Sequence, residues 1–321
     1  MKIVDVAIDA MNRKLVLMLT VTLLVGTLGL AFNVQKAKAS GTIYIRADGS
    51  IEPTTANMTS FDNTTYIFTD NNYDSIVVQK SNILIDGKGY TLQGLGEGTG
   101  FSLYGVENVT IKTTHIRGFL YSIYLSVSFG NMISGNNITA NSYFGICVYE
   151  SSHNSIFGNN ITANGGGIWL GSSSDNIIDQ NNLTDSNAGI SIGADGSSNK
   201  IEGNNITNNL RGIEYLGDGS NNIFDHNNFV NNTQQVFSLG LPNVWDDGYP
   251  SGGNYWSDYN GTDADHDGIG DTPYIVDENN TDNYPIMAPT VIPEFPSFFV
   301  ALLFIVTMLP ATIVYRRRHL T

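Results

Sequence analysis

Gly158-Asn159-Asn160-Ile161-Thr162 is one of five near-copies of a single phrase. Gly135-Asn136-Asn137-Ile138-Thr139 precedes it. Gln180-Asn181-Asn182-Leu183-Thr184, Gly203-Asn204-Asn205-Ile206-Thr207 and His226-Asn227-Asn228-Phe229-Val230 follow. The second Asn recurs at intervals of 23, 22, 23 and 23 residues, and a fixed period of this length marks a repeat architecture. Each copy has three apolar beats: Ile156, Ile161 and Ile168 with Leu170; then Ile178, Leu183 and Ile190 with Ile192; then Ile201, Ile206 and Ile213 with Tyr215. Isolated β-branched residues between polar ones suit very short, half-buried strands. No amphipathic helix of three or more turns is present, which excludes helical solenoids. Three strands per turn with polar corners predict an all-β parallel β-helix whose turns stack about 4.8 Å apart. One such turn cannot bury its own apolar face, so its stability comes from its neighbours.

This arithmetic gives the Asn residues a structural task. Asn137, Asn160, Asn182, Asn205 and Asn228 are expected to lie one above another, their amides bonding along the stack. Asn also tolerates the left-handed backbone of tight corners.

The chain has 321 residues and a net charge of −15. Between Gly41 and Ile292, seven Lys and Arg face 27 Asp and Glu. Nothing in that balance neutralises phosphates, so no nucleic acid is expected as a partner, and cations are the natural small partners. The one cysteine, Cys147, excludes an intrachain disulfide. Alternation with Ile146 and Val148 turns it away from the core, as an inert surface thiol without the electropositive setting a reactive one needs.

Residues 1–39 read as an export signal: Arg13-Lys14, an apolar run from Leu15 to Phe32, and Ala37-Lys38-Ala39 before Ser40. Residues 40–107 read as an N-terminal cap and first coils. Strands are predicted at Thr42–Arg46, Thr65–Phe68, Ser75–Val78, Ile83–Tyr90 and Thr91–Leu92, with a turn over Gly49–Pro53. Caps are required because solenoid ends are apolar and carry unpaired strands. Residues 108–240 carry the repeats, with Ile116 preceding Ile138 by 22 residues and Ile123 preceding Ile146 by 23. After Val236 the rhythm stops. Residues 241–292 form an Asp- and aromatic-rich C-terminal cap, in which Trp245, Tyr249, Tyr255, Trp256 and Tyr259 plug the end of the helix.

Two acidic features stand out. Asp179, Glu202 and Asp225 hold one place in three successive turns, where Ser134 and Phe157 stand in the turns before. They are expected to point outward in a column with neighbours about 5 Å apart. Such a column suits a solvated face, cation binding, or the general acid and base of a sugar-cleaving enzyme; Lys200 and Arg211, in neighbouring turns, suit an acidic sugar. Asp263-Ala264-Asp265-His266-Asp267-Gly268-Ile269-Gly270-Asp271 places oxygen ligands at Asp263, Asp265, Asp267 and Asp271, with the Ile269 carbonyl between, as in the first part of a Ca²⁺ loop. Tyr274 stands where such a loop has its bidentate Glu, with Asp277 as a candidate substitute. Structural Ca²⁺ is expected here.

The Asn-x-Ile, Gly-Asn-Asn-Ile-Thr and Gly-Ile-x-Leu coils resemble the right-handed β-helix repeats of the NosD-like family and of carbohydrate-active β-helix proteins. Gly41 to Ser50 and Val244 to Tyr259 resemble archaeal surface members of that group. The resemblance covers residues 41–292 and implies the fold more strongly than an activity, since this repeat serves enzymes, binding modules and stalks alike. NosD-type members are linked to periplasmic copper delivery, but copper needs clustered His, Cys or Met. Here His115, His153, His226, His266 and His319 fall in different coils or tails. The pectin-degrading β-helices' catalytic signatures are not visible.

Residues 293–321 form a Pro spacer, an apolar run from Phe298 to Tyr315 long enough to span a bilayer, and Arg316-Arg317-Arg318, which favour the cytoplasmic side. Pro293-Glu294-Phe295 with this span and basic end resembles the archaeal PEF-type sorting signal. That likeness implies a sortase-like processing enzyme that cuts the tail and a lipid anchor that replaces it; a permanent C-terminal transmembrane helix is the alternative. Ten Asn-x-Ser/Thr sequons occur, and glycans are expected chiefly on Asn57, Asn63, Asn260 and Asn279, the ladder Asn being poorly exposed. The expected function is that of an exported cell-surface module that binds carbohydrate or matrix, or builds an envelope layer. A polysaccharide lyase or hydrolase on the carboxylate face is the alternative.

Overall fold

The computed structural model describes residues 41–239 and 241–291. The expected export signal, the apolar tail and the Arg cluster lie outside them. No helix among the described residues is long and apolar enough to cross a membrane.

Three predominantly parallel sheets, of ten, nine and eight strands, wrap one core; they are called the first, second and third sheets below. Each turn gives one short strand to each sheet, and the apolar beats stack in register. Ile133, Ile156, Ile178, Ile201 and Phe224 form one column in the second sheet. Ile138, Ile161, Leu183, Ile206, Phe229 and Trp256 form another in the third. Ile146, Ile168, Ile190, Ile213 and Val236 form a third in the first sheet. Nearly all are buried in a single apolar cluster.

The Asn residues fall into two sets, and the set expected to form the ladder is the outer one. Asn137, Asn160, Asn182, Asn205 and Asn228 do stack in register. Their amides bond along the column, as in Asn182 Nδ2 to Asn160 Oδ1 at 2.8 Å. Yet this column flanks inward Ile138 and its equivalents and so faces outward. Asn136, Asn159, Asn181, Asn204 and Asn227, the first Asn of each pair, are buried, as is Asn254; of the outward set only Asn228 is buried, where it bonds Thr290. Each main-chain N–H donates to Oδ1 of the next turn's Asn, from Asn136 to Asn159 through to Asn227 to Asn254, at 2.9–3.0 Å. Each Nδ2 donates to a strand carbonyl of an earlier turn, as in Asn181 to Ile156 O at 2.8 Å. A second ladder runs through Asn131, Asn154, Asn176, Asn199 and Asn222. A third runs through Asn141, Asn164, Ser186, Asn209 and Asn232. The left-handed residue at each corner is the one before the ladder Asn. It is Gly135, Gly158, Gln180, Gly203 and His226 in the first ladder, with φ between 54° and 61°. The sequon residues Asn137, Asn160, Asn182 and Asn205 therefore belong to the outward column, and the premise that they are buried ladder residues is corrected.

The strands predicted before residue 107 are coil strands in the same register. Ser75–Val78 lies between Thr42–Ile45 and Thr99–Tyr104 in the first sheet. What closes the N-terminal end are two antiparallel edge strands. Ile51–Glu52, inside the segment expected to turn, pairs with Thr42–Ile45, and Met58–Ser60 pairs with Thr65–Phe68. Reversed short edges leave no parallel template for another chain.

At the other end the rhythm continues past Val236 in distorted form. Asn243 accepts from Asn222 N, Asn254 accepts from Asn227 N, and Tyr255–Trp256 pairs with Asn228–Phe229. Insertions stretch the spacing, which hides the last turn from a search for a fixed period. Trp245 stacks on Phe224 and Trp256 on Phe229, both at 4.3 Å, with Tyr274 over Trp256 at 4.2 Å. Asp282 ends the first ladder. It is fully buried and accepts from Asn254 N at 2.7 Å, Trp256 Nε1 at 2.8 Å and Tyr284 N at 3.1 Å.

Asn181→Ala removes the acceptor of Asn159 N–H and the donor to Ile156 O inside the core. It is expected to cost about 3 kcal/mol or more, because each stranded buried group costs about 1–3 kcal/mol. Asn182→Ala, in the outward column, is expected to cost under about 1 kcal/mol. Chemical denaturation of both variants checks the contrast. Burial pushes the Asp282 carboxyl from 3.8 up to about 6. The folded state then holds its proton more tightly than the unfolded chain, so the stabilisation is complete below about pH 4 and lost as pH rises through about 6. The loss is about 3 kcal/mol, read as the wild-type unfolding free energy minus that of Asp282→Asn across pH 4–7.

Candidate functional site

Three surface features carry chemistry: the carboxylate column, the Asp loop and a group of aromatic rings.

The register places Asp179, Glu202 and Asp225 one above another on the second sheet, after Phe157. Inward Ile178, Ile201 and Phe224 precede them, so the carboxylates leave the core on the opposite side. The column is not uniformly solvated. Asp225 is 3% exposed because the C-terminal cap folds over it. Lys200, two residues before Glu202 on the same strand, reaches Glu202 Oε2 at 2.5 Å. Burial, then the neighbouring Glu202 carboxylate, holds the Asp179 carboxyl above its ordinary value. Burial does the same at Asp225, against the pull of Lys200. His226 Nδ1 lies 3.7 Å from Asp225 Oδ1. Ligand atoms of Glu202, Asp225 and His226 lie within 4.8 Å of one another, a grouping the sequence reading did not foresee. Arg211, expected beside this column, stands on the first sheet, paired with Glu214 and lying 4.4 Å over the Phe237 ring. The corner between the two sheets separates it from the carboxylates.

In the Asp loop, carboxylate oxygens of Asp263, Asp265 and Asp267 lie within 4.8 Å of one another. The Asp263 carboxylate accepts from Asp267 N and Gly268 N at 3.2 and 3.0 Å. Asp267 accepts from Ile269 N at 2.9 Å. Asp271 Oδ2 turns to Ala264 N at 2.8 Å. Tyr274, at the position of the missing Glu, stacks in the cap and bonds Asp258 at 3.2 Å. Asp277 is held in the turn of a hairpin by Asn279 N at 2.7 Å and Asn280 Nδ2, so it does not replace that Glu.

The aromatic group lies on the outward face of the first sheet, where the sequence reading placed nothing but Cys147. Tyr124, Cys147, Trp169, Ser191, Glu214 and Phe237 form one outward column. Trp169 is flanked by Tyr149 at 6.0 Å and 5°, and by Phe144 at 6.2 Å and 28°. Tyr143 packs edge-on against Phe144 and Tyr121, and Tyr121 packs on Tyr124. Two glycines make room for the rings. A Cβ at Gly171 would sit 2.2 Å from the Trp169 ring, and one at Gly166 would sit 2.3 Å from that of Phe144. Cys147 does face away from the core, but these rings bury it, so it is not the surface thiol expected; burial pushes its pKa up. The signal was present in the sequence as Tyr124, Cys147 and Trp169 at intervals of 23 and 22 residues. It is masked because aromatics read equally well as core. Of the cap aromatics expected to plug the end of the helix, Trp245 and Trp256 are buried there, and Tyr249 is exposed.

The family model described as "Periplasmic copper-binding protein (NosD)" matches residues 26–261. A search of curated protein sequences finds no match. Among solved structures, the Dettilon tailspike protein is similar at 17% identity and a TM-score of 0.48, over 67% of this chain and 54% of its own. This chain thus spans about half of the tailspike. The periplasmic alginate epimerase AlgG is similar at 14% identity and a TM-score of 0.43, over 60% of this chain and 69% of its own. DFA-IIIase from Arthrobacter chlorophenolicus A6 is similar at 11% identity and a TM-score of 0.34, over 56% of each chain. At such identities a likeness is one of fold alone.

The described residues do not fit a carrier of cuprous copper. Among the described residues, the one metal-type group that includes an imidazole has a single imidazole and two carboxylates. Cuprous copper takes soft thiolate and thioether ligands, and Cys147 lies buried on a different sheet. The match over residues 26–261 spans most of the described coils, and it makes this chain a member of the NosD family of right-handed β-helix proteins.

Proposed function

We propose that this protein is an exported, surface-held β-helix that binds an envelope or matrix polysaccharide without cleaving it, with the rings around Trp169 as its binding face. The observation that carries this reading is the outward aromatic group. Six rings on three successive turns, two of them seated over glycines, form one contiguous aromatic group on the outer wall, with Tyr143 about half exposed. Contiguous apolar surface of this kind marks an interaction site, and the C–H faces of sugar rings pack on aromatic faces. Arg211 and Glu214, two turns further on and paired with each other, border it with a guanidinium and a carboxylate.

Export rests on the apolar run from Leu15 to Phe32 and is supported by the periplasmic description of the family. Anchoring rests on the apolar run from Phe298 to Tyr315, either as a membrane helix or as a signal cut by a sortase-like enzyme. Ca²⁺ in the loop of Asp263, Asp265, Asp267, Ile269 and Asp271 would stiffen the cap by relieving the repulsion between its carboxylates. The rival reading, a lyase or hydrolase, is favoured by one observation, the raised carboxyls of Asp179 and Asp225 beside Glu202. The burial of Asp225 keeps it from a polymer outside.

The full chain is expected to be retained on one of a panel of neutral and acidic polysaccharides, with no new reducing ends or unsaturated product. Trp169→Ala should weaken retention roughly tenfold, about 1.4 kcal/mol. Retention unchanged in Trp169→Ala, or on no polysaccharide, sinks the binding face. Product that disappears in Asp179→Asn or Glu202→Gln establishes the enzyme instead. Removing Ca²⁺ with EDTA is expected to lower the melting temperature by several degrees, restored by added Ca²⁺, as mass action requires of a ligand that binds only the folded chain. An unchanged melting temperature refutes the calcium loop.

A further inference from the structure

The corner at His226 differs chemically from its equivalents. Gly135, Gly158, Gln180 and Gly203 hold that left-handed position in the earlier turns. His226 Nε2 lies 3.1 Å from the carbonyl oxygen of Ser251, in the cap. A carbonyl only accepts, so Nε2 carries the hydrogen, and in the neutral ring Nδ1 then presents a lone pair. That lone pair faces Asp225 Oδ1 at 3.7 Å. The oxygen is itself buried and has no hydrogen-bond partner, a condition it shares with only Ser122 Oγ among the described residues. Two acceptors therefore face each other at a buried position with no donor between them. An orphaned buried carboxylate oxygen is costly. A proton shared along this line would draw the pair to about 2.7–2.9 Å.

Glu202 completes the group, its nearest oxygen within 4.8 Å of the Asp225 and His226 ligand atoms. Lys200 holds Oε2 of Glu202. Four carboxylates, those of Asp179, Glu202, Asp225 and Asp247, act on one another or on Lys200 here, and Lys200 is the one permanent cation among them. The field favours a further positive charge.

We infer that Glu202, Asp225 and His226 form a binding site for a divalent cation of the zinc class, at the seam between the last regular coil and the C-terminal cap. One imidazole nitrogen favours a borderline transition ion over Ca²⁺ or Mg²⁺, and two carboxylates disfavour cuprous copper. Three protein ligands and an open fourth position form a common zinc shell. A ligating imidazole usually donates its other N–H to a carbonyl, as His226 does to Ser251. Ligands at 2.0–2.2 Å from zinc require the three side chains to close by about 1 Å. The site is separate from the aromatic face and from the Asp loop. Its consequence is mechanical: the ion ties the cap, through Ser251, to the strands of Glu202 and Asp225.

The test is calorimetric titration of ZnCl₂ into the full chain with Ca²⁺ in excess, so that the Asp loop does not compete. One Zn²⁺ per chain is expected. Affinity should fall at least tenfold in Asp225→Asn and His226→Ala and stay unchanged in His153→Ala. Zn²⁺ should raise the melting temperature of the wild type but not of Asp225→Asn. Without zinc, Asp225→Asn should melt no lower than the wild type, because the orphaned carboxylate is gone. If that variant instead melts lower, Glu202→Gln takes its place in the titration. No saturable Zn²⁺ binding, or binding undiminished in the ligand variants, overturns the site.

Discussion

The constraint on which the structure depends is the backbone N–H at each corner. Within a strand, the N–H and C=O groups of alternate residues point at the strands of the turns before and after and are paired there. At a corner the chain swings through a left-handed residue, and the next N–H lies off the ladder inside the wall. Left unpaired, it would cost about as much as the neighbouring Ile side chain gains by burial. The side chain of the next turn's Asn supplies an acceptor for it, and its Nδ2 takes up a carbonyl of the previous turn. Asn is suited to this because one short, planar group carries acceptor and donors together. Ser fills the same role in part, as Ser186 does between Asn164 and Asn209, with one oxygen accepting from the turn before.

Each ladder must end, and where two of them end explains the C-terminal cap. The first ladder starts at Thr114, whose N–H donates to Asn136, and runs to Asp282. The second runs from Val109 through Asn243 to Asn280. The terminal acceptors sit on one short hairpin, Tyr274–Asp277 with Asn280–Asp282. Asp282 is a carboxylate because the last corner offers three donors, Asn254 N, Trp256 Nε1 and Tyr284 N. An Asn there would turn its own N–H₂ toward one of them. The cap is thus specified by hydrogen-bond completion as much as by the stacking of its two buried tryptophans.

The fold was legible because its determinants repeat. The beats Ile156, Ile161 and Ile168 each recur one turn later, and repetition distinguishes register from chance. Which Asn of a pair turns inward was less legible. Asn159 and Asn160 are chemically identical neighbours, and only the position of the left-handed Gly158 before them decides it. The last turn was lost for a different reason: its Asn243 and Asn254 serve the same ladders after insertions that destroy the period. Of the candidate sites, the alignment of Asp179, Glu202 and Asp225 followed from the period alone. The burial of Asp225 did not, since it depends on a cap segment whose path has no repeat to reveal it.

The outer surface follows a different rule from the wall. Inward and corner positions are nearly fixed by stacking, whereas an outward position is bounded only by the residues a rung above and below it. A run of related residues at one outward position therefore becomes a strip of like chemistry with ~5 Å spacing. Rings accumulate around Trp169 and carboxylates around Glu202 by the same mechanism. The strips differ in what the adjoining structure adds. Around Trp169 the neighbours are Gly166 and Gly171, whose missing side chains make room for the rings of Phe144 and Trp169. At Asp225 the cap closes over the column and brings His226 and the Ser251 carbonyl to it. An outward strip suits a polymer, while a covered one suits a small ion. The middle of the solenoid and its C-terminal end thereby acquire different chemistry without any change in the repeat beneath them.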